Sequence, residues 1–157
     1  MFTIEFWVIS TFIQVILVVV SHEHWMTLKI DLKDWTIFIF DSISSKATDQ
    51  GWRKERTIMP LRAILSYLMQ QADYFERADL QPRMDIFKAV LIPNEQSAKQ
   101  IDDDSCGVFC LSFLDSIIHG LPISSRITQA IVDKLKKDYA FGIFLNSTDL
   151  AEVMESK

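Results

Sequence analysis

The sequence predicts one folded α+β domain, and three observations support this prediction. The chain has 157 residues, a length typical of one domain that can bury about 70% of its unfolded surface. Hydrophobic residues make up 49% and charged residues 24%, so the chain is neither disordered nor of low complexity. Strand-like segments fill its first part and helical periodicity dominates the rest. No repeat or linker divides it.

The charge balance and the cysteines narrow the possible functions. Sixteen Lys and Arg against 21 Asp and Glu give a net charge of −5 with no basic stripe, which argues against a nucleic-acid partner. Cys106 and Cys110 stand four residues apart on one face of a helix-like segment, where they are not in bridging geometry. Unpaired thiols indicate a reducing compartment.

An apolar run at residues 6–20 precedes the other elements. Polar residues interrupt it, it is shorter than the roughly 20 residues of a membrane-spanning helix, and it lacks the positive start and cleavage site of a signal peptide. Residues 15–20 are nearly all β-branched, so we predict a strand buried on both faces. A membrane-anchored form is the less favoured alternative, and residues 1–14 form an uncertain apolar segment.

Two further strands are expected to form a hairpin. Residues 26–32 alternate apolar and polar side chains, as in a strand with one face on the core. Residues 35–40 are apolar on both faces, and Asp41 ends them. A tight turn at Lys33-Asp34 would pair Leu32 with Trp35.

The remaining elements are mainly helices. Apolar residues between 58 and 75 repeat every three or four positions, which predicts an amphipathic helix. Residues 86–92 predict a short strand. A largely buried helix is expected from Cys106 to His119. The last helix, capped by Ser124 or Ser125, is expected to turn three apolar residues inward: Ile127, Ile131 and Leu135.

The predicted hairpin register brings His24 close to Asp41. It places Met26 opposite Asp41 and His24 opposite Ile43, so His24 and Asp41 become diagonal neighbours on one face, about 7–8 Å apart at the backbone. A carboxylate beside an imidazole fixes its tautomer and stabilises its protonated form. The pair is half of a nucleophilic site, provided that the register does not slip by one residue.

A candidate nucleophile opens the buried helix. With Ser105 or Asp104 as N-cap, the sulfur of Cys106 would face the positive end of the helix dipole, which favours the thiolate. Gly107 could let a substrate backbone approach closely. Gln100 could donate an amide N–H to an oxyanion, alongside the backbone N–H of Cys106.

Each of these residues also has a structural interpretation. A single His, Asp, Gln or Cys is more often structural than catalytic, and Trp25 could pack on the rim of the sheet or form a flat wall for a narrow substrate. The sequence His22-Glu23-His24 could form a zinc set with the two cysteines. Because Cys110 falls on the apolar side of its helix, where it suits the core, we predict no metal and no cofactor.

The order and spacing of these residues resemble those of the ubiquitin-like-protein-specific cysteine proteases, the SUMO-processing and SUMO-deconjugating peptidases related to the adenoviral proteinase. The match extends over about residues 15–139. It rests on His24-Trp25, Asp41-Ser42, Gln100 and Ser105-Cys106-Gly107-Val108-Phe109.

The resemblance implies an α+β papain-like fold, in which a small mixed or antiparallel sheet packs against the helix that starts at Cys106, with flanking helices. It implies cleavage of peptide or isopeptide bonds after the C-terminal Gly-Gly of a SUMO-type modifier. His24 would be the general base, Asp41 its orienter, Cys106 the nucleophile and Gln100 the oxyanion donor.

The resemblance also implies the surroundings of the site. Trp25 matches the tryptophan that covers the diglycine tail in a narrow tunnel. The expected partners are a SUMO-type modifier and its conjugates. The expected location is the nucleus or the cytoplasm.

Three departures from the family pattern stand out. No upstream segment resembles the Trp-Leu-Asn-Asp-like motif, Ser105 replaces the commonest Asp, and the stretch between Asp41 and Gln100 is long. We therefore expect an N-terminally truncated catalytic domain over residues 15–145, followed by a polar tail at 146–157. A non-catalytic interaction module of the same family is the alternative function.

Overall fold

Among the residues that the structure describes, five strands form one mixed sheet whose spatial order follows the chain. The computed structural model describes residues 8–10, 14–21, 23–43, 57–93, 96–123 and 127–155. The strands are β1 (Val8–Ser10), β2 (Gln14–Ser21), β3 (His24–Asp31), β4 (Thr36–Phe40) and β5 (Lys88–Leu91). The first four pair antiparallel, whereas β5 lies parallel to β4. A parallel neighbour requires a crossover connection.

The helices supply that crossover and the second layer of the fold. Helices α1 (Met59–Gln71) and α2 (Tyr74–Arg77) lie between β4 and β5 in the chain, and α3 (Cys106–Ile118) and α4 (Gln129–Glu155) follow β5. The α+β class and the packing of the sheet against the helix that starts at Cys106 are as predicted.

The apolar run at residues 15–20 forms most of β2, as predicted. Four consecutive side chains, from Ile16 to Val19, are buried, so both faces of this strand are covered. Residues 1–7 and 11–13 lie outside the described part of the chain. Within the described part, every helix is too short or too polar to cross a membrane.

The β3–β4 hairpin has the predicted register but a longer turn. Asp31 pairs with Thr36 and Thr27 with Phe40, and extending this ladder places Met26 opposite Asp41. Residues 32–35 form the turn, so the predicted pairing of Leu32 with Trp35 is wrong. The Asp31 carboxylate accepts the N–H groups of Lys33 and Asp34 at 3.0 and 2.9 Å. These bonds favour a wider turn because they bend the chain immediately after β3.

The sheet separates two hydrophobic clusters. On one face Leu28, Ile30, Ile37 and Ile39 pack with Leu65 of α1 and with Phe75 and Phe87. On the other face Phe40 packs with Phe109 and Phe113 of α3 and with Val132 of α4. Successive residues of β4 alternate between these clusters, which explains why the strand is apolar on both faces.

The helix predicted over residues 58–75 is divided into α1 and α2. Asp73 adopts a left-handed conformation with φ 52°, and a single residue of this kind ends an α-helix. Ile127 packs against the second cluster, as predicted. In α4 the buried residue is Val132, whereas Ile131, which we expected to face inward, is 45% exposed. The predicted caps Ser124 and Ser125 lie outside the described residues.

Candidate active site

An imidazole and a carboxylate meet at one end of the sheet. His24 is the first residue of β3, and Asp41 directly follows β4. His24 Nε2 lies 2.8 Å from Asp41 Oδ1, and the two residues are only 4% and 6% exposed. The contact predicted from the hairpin register is therefore present, and it is buried.

Hydrogen bonds keep the Asp41 carboxyl ionised. Burial raises its pKa, but the hydrogen bonds from His24 and from the Ile43 N–H, together with the positive charges of His24 and Lys99, outweigh burial, and the pKa lies below 3.8. The Ile43 N–H donates to the same Oδ1 at 2.9 Å. Since an ionised carboxylate only accepts, Nε2 of His24 carries a proton, and in the neutral form of the ring Nδ1 is left to accept one.

Gln100 lies beside this pair because a loop returns to the end of β4. The Gln100 N–H donates to the main-chain oxygen of Ser42 at 2.8 Å, and Gln100 forms a parallel bridge with Ile43. The side-chain Oε1 accepts the Ser42 hydroxyl at 2.7 Å, and Nε2 donates to the Asp102 carbonyl at 2.7 Å. Lys99, the preceding residue, donates to the Asp41 carbonyl.

Cys106 opens α3 after a loop ordered by Asp102. The Asp102 carboxylate accepts the Ser105 N–H at 3.2 Å and the Ser105 hydroxyl. It also accepts Gln129 Nε2 of α4 at 3.1 Å. The hydrogen bonds from Ser105 make the largest contribution to lowering the pKa of Asp102, and Gln129 and the positive charge of Lys136 lower it further. Burial acts in the opposite direction but does not outweigh them.

The N-cap position of α3 is one of the two predicted, but the cap residue makes no side-chain bond to the helix. Ser105 stands at the N-cap position but makes no side-chain capping bond, because its hydroxyl is engaged by Asp102. The N–H groups of the first turn are therefore not occupied by the side chain of Ser105. Cys106 itself is 6% exposed.

The second cysteine belongs to the core, as predicted. Burial raises the pKa of the Cys110 thiol to about 12, and the charges of Cys106 and Asp41 act in the same direction. The Thr27 hydroxyl donates to the Cys110 carbonyl at 3.2 Å, which fixes α3 against β3. In the described part of the chain no three His, Cys, Asp or Glu residues group as metal ligands, and His22 lies outside that part.

The contacts thus connect His24, Asp41 and Gln100 and hold Cys106 at the start of the adjoining helix. Among the described residues no hydrogen bond joins the Cys106 thiol to the His24 ring. The catalytic roles of these four residues therefore stay predictions.

The two predicted substrate-binding residues lie next to this group in the sequence. Trp25 is half-buried on β3 opposite Val20. A Cβ added to Gly107 would meet nothing within 4 Å, so packing within the chain does not require glycine there. Their substrate contacts stay predictions.

Sequence reasoning assigned no role in the site to Ser42, Lys99 or Asp102. The Asp-x-x-Ser spacing of Asp102 and Ser105 is typical of a side chain that hydrogen-bonds a nearby backbone N–H. It could have indicated the ordered loop. Nothing local to Ser42 or Lys99 indicates their partners.

Comparisons with known proteins give a family and a fold. The model of the Ulp1 protease family, C-terminal catalytic domain, matches residues 3–149. A solved structure of SUMO protease Ulp1, with the catalytic cysteine oxidized to a sulfenic acid, is 18% identical with a TM-score of 0.55. The match covers 85% of this chain and 53% of that one. A second structure of SUMO protease Ulp1, with that cysteine oxidized to a sulfonic acid, is 16% identical. Its TM-score is 0.49, and the match covers 78% of this chain and 48% of that one. The search of curated proteins returns no match. The chain spans about half the length of these solved structures.

Proposed function

The chain belongs to the Ulp1 protease family, C-terminal catalytic domain, and we propose that it is a cysteine peptidase. Its substrates would be peptide and isopeptide bonds after the C-terminal Gly-Gly of a SUMO-type modifier. The catalytic domain would cover residues 15–145.

The buried His24–Asp41 pair, with 2.8 Å between Nε2 and Oδ1, is the observation that carries the proposal. In the proposed reaction Nδ1 of His24 accepts the Cys106 thiol proton, and the thiolate attacks the carbonyl carbon of the terminal glycine. Asp41 compensates the charge of the imidazolium. The imidazolium then protonates the leaving amine, the amide bond breaks, and water hydrolyses the thioester that remains on Cys106.

The oxyanion formed in the attack needs donors that are already in place. The backbone N–H of Cys106 and one N–H of the Gln100 amide are the proposed donors. This choice of donors is supported by the position of Gln100 beside Ser42. It is also supported by the position of Cys106 at the start of α3, where Ser105 makes no side-chain capping bond.

A diglycine tail suits the surroundings of Cys106. The space beside Gly107 is open, and Trp25 supplies an indole next to His24 in the sequence. A channel narrowed by an indole admits glycine and rejects larger side chains. This is the support for a substrate that ends in Gly-Gly.

A modifier with an electrophilic C-terminus tests the proposal. A SUMO vinyl sulfone should form a covalent adduct with the wild type and with Cys110→Ala, but not with Cys106→Ala. A ubiquitin vinyl sulfone, used in parallel, should react more slowly. A wild type that is folded by circular dichroism and reacts with neither probe would instead be a non-catalytic module. An adduct that survives Cys106→Ala would refute the choice of nucleophile.

We also propose a nuclear or cytoplasmic location. Both cysteines are free in the structure, which is usual in reducing compartments. Fluorescence microscopy of the tagged chain tests this, and a signal confined to the secretory pathway would contradict it.

A further inference from the structure

We propose that Ser42 is a positioning residue that aims the Gln100 amide at the oxyanion. The proposal rests on the function proposed above, because it concerns the same reaction. Ser42 is 1% exposed, and its hydroxyl donates to Gln100 Oε1 at 2.7 Å.

The partners of Gln100 determine which way its amide is turned. The Asp102 carbonyl only accepts, so the amino end of the amide must face it, at 2.7 Å. The oxygen end then faces Ser42, whose hydroxyl must donate. Two hydrogen bonds at opposite ends fix both the plane of the amide and its orientation.

This arrangement leaves one donor unused. An amide nitrogen carries two hydrogens, and one of those on Nε2 is engaged by Asp102. The other has no acceptor among the residues that the structure describes. Because the amide plane is fixed, the direction of this second N–H is fixed as well, as an oxyanion donor requires.

Ser42 also joins this amide to the acid–imidazole pair. It follows Asp41, and its carbonyl accepts the Gln100 N–H at 2.8 Å. The backbone contact keeps Gln100 near Asp41 whatever residue 42 is. The Ser42 hydroxyl additionally orients the Gln100 side chain. Ser42→Ala removes this contribution and leaves the backbone contact in place.

Steady-state kinetics on a SUMO-type substrate with a fluorogenic amide after Gly-Gly separates this role from a structural one. We expect Gln100→Ala to lower kcat about 100-fold, as losing one oxyanion donor does. Ser42→Ala should lower kcat about 10-fold through misalignment and leave KM within about twofold. In the double variant the Ser42→Ala effect should vanish, because no amide remains to be aimed.

Ser66→Ala is the matched control. Ser66 of α1 is 2% exposed, and its hydroxyl donates to the Asp85 carbonyl at 2.7 Å. Its neighbour Leu65 belongs to the hydrophobic cluster on the other face of the sheet. The Ser66→Ala variant therefore loses an equally buried hydrogen bond and should keep the wild-type kcat. An unchanged kcat in Ser42→Ala, or a full additional loss in the Gln100→Ala background, would overturn the proposal.

A measurement without turnover keeps this test distinct from that of the proposed function. The side-chain amide protons of Gln100 give two NMR signals, which are identified by their absence in Gln100→Ala. In Ser42→Ala these signals should move toward those of exposed glutamines and exchange faster with water. Unchanged signals would overturn the positioning role, whether or not the wild type is active. An inactive wild type would by itself refute only the proposed peptidase activity.

Discussion

Replacing Asp41 with alanine should destabilise the chain by about 2–6 kcal/mol. Its Oδ1 accepts from His24 Nε2 at 2.8 Å and from the Ile43 N–H at 2.9 Å. Each buried donor that loses its acceptor costs about 1–3 kcal/mol. Asp41→Asn keeps an oxygen for both donors and loses only the charge, so its cost should be about 1 kcal/mol.

The contribution of the carboxylate should depend on pH in a defined direction. The native pKa of Asp41 is lowered from its ordinary value of 3.8. Such a group contributes stability that is fully present above its unfolded pKa and is lost as pH falls through the native pKa. The difference between wild type and Asp41→Asn should therefore decrease as the pH falls below about pH 4.

Urea denaturation followed by tryptophan fluorescence measures these differences. Asp115→Ala is the matched control, because Asp115 pairs with His119 at 3.1 Å on the exposed face of α3. Losing an exposed pair should change the free energy of unfolding by no more than about 0.5 kcal/mol. If Asp41→Ala costs no more than this control, or no more than Asp41→Asn, the buried pair does not stabilise the fold as argued.

Three further predictions follow from the helix start and its loop. Gly107→Ala should keep or raise the free energy of unfolding, by up to about 1 kcal/mol, because the new Cβ meets nothing within 4 Å. Its kcat/KM on a SUMO-type substrate should nevertheless fall about 10-fold, and normal kinetics would contradict a substrate contact there. Iodoacetamide at about pH 8 should label Cys106 but not Cys110 in the native chain, because the pKa of Cys110 is about 12 and the thiolate is the nucleophile. Mass spectrometry that locates the label on Cys110 would refute this. Asp102→Asn should lose about 1–2 kcal/mol, because an amide has a single oxygen and cannot accept the Ser105 N–H at Oδ1 and Gln129 Nε2 at Oδ2 as well. Calorimetry should show a lower Tm for it than for the exposed Asp103→Asn.

The hairpin and its acid–imidazole pair could be predicted because they depend on local signals. The alternation in residues 26–32 and the polar residues after them fix which side chains share a face. That register is sufficient to bring His24 to Asp41, although the turn itself is wider than predicted. The buried helix from Cys106 was predictable for the same reason, since its pattern lies within one segment.

The contacts of Gln100 could not be predicted because they join distant segments. Ser42 and Gln100 are 58 residues apart, and they meet only because β5 adds parallel to β4. The expectation for Ile131 was wrong by one residue, because Val132 is also apolar and packs in the cluster with Phe113. Local patterns do not contain such tertiary information.

The parallel addition of β5 has a consequence for the order in which the molecule assembles. The β3–β4 hairpin closes through residues 32–35, so its contacts require little loop entropy and are expected to form early. The loop that carries Gln100 returns only after the much longer crossover has closed. An incompletely folded or newly synthesised chain would therefore hold its acid–imidazole pair before Gln100 reaches it.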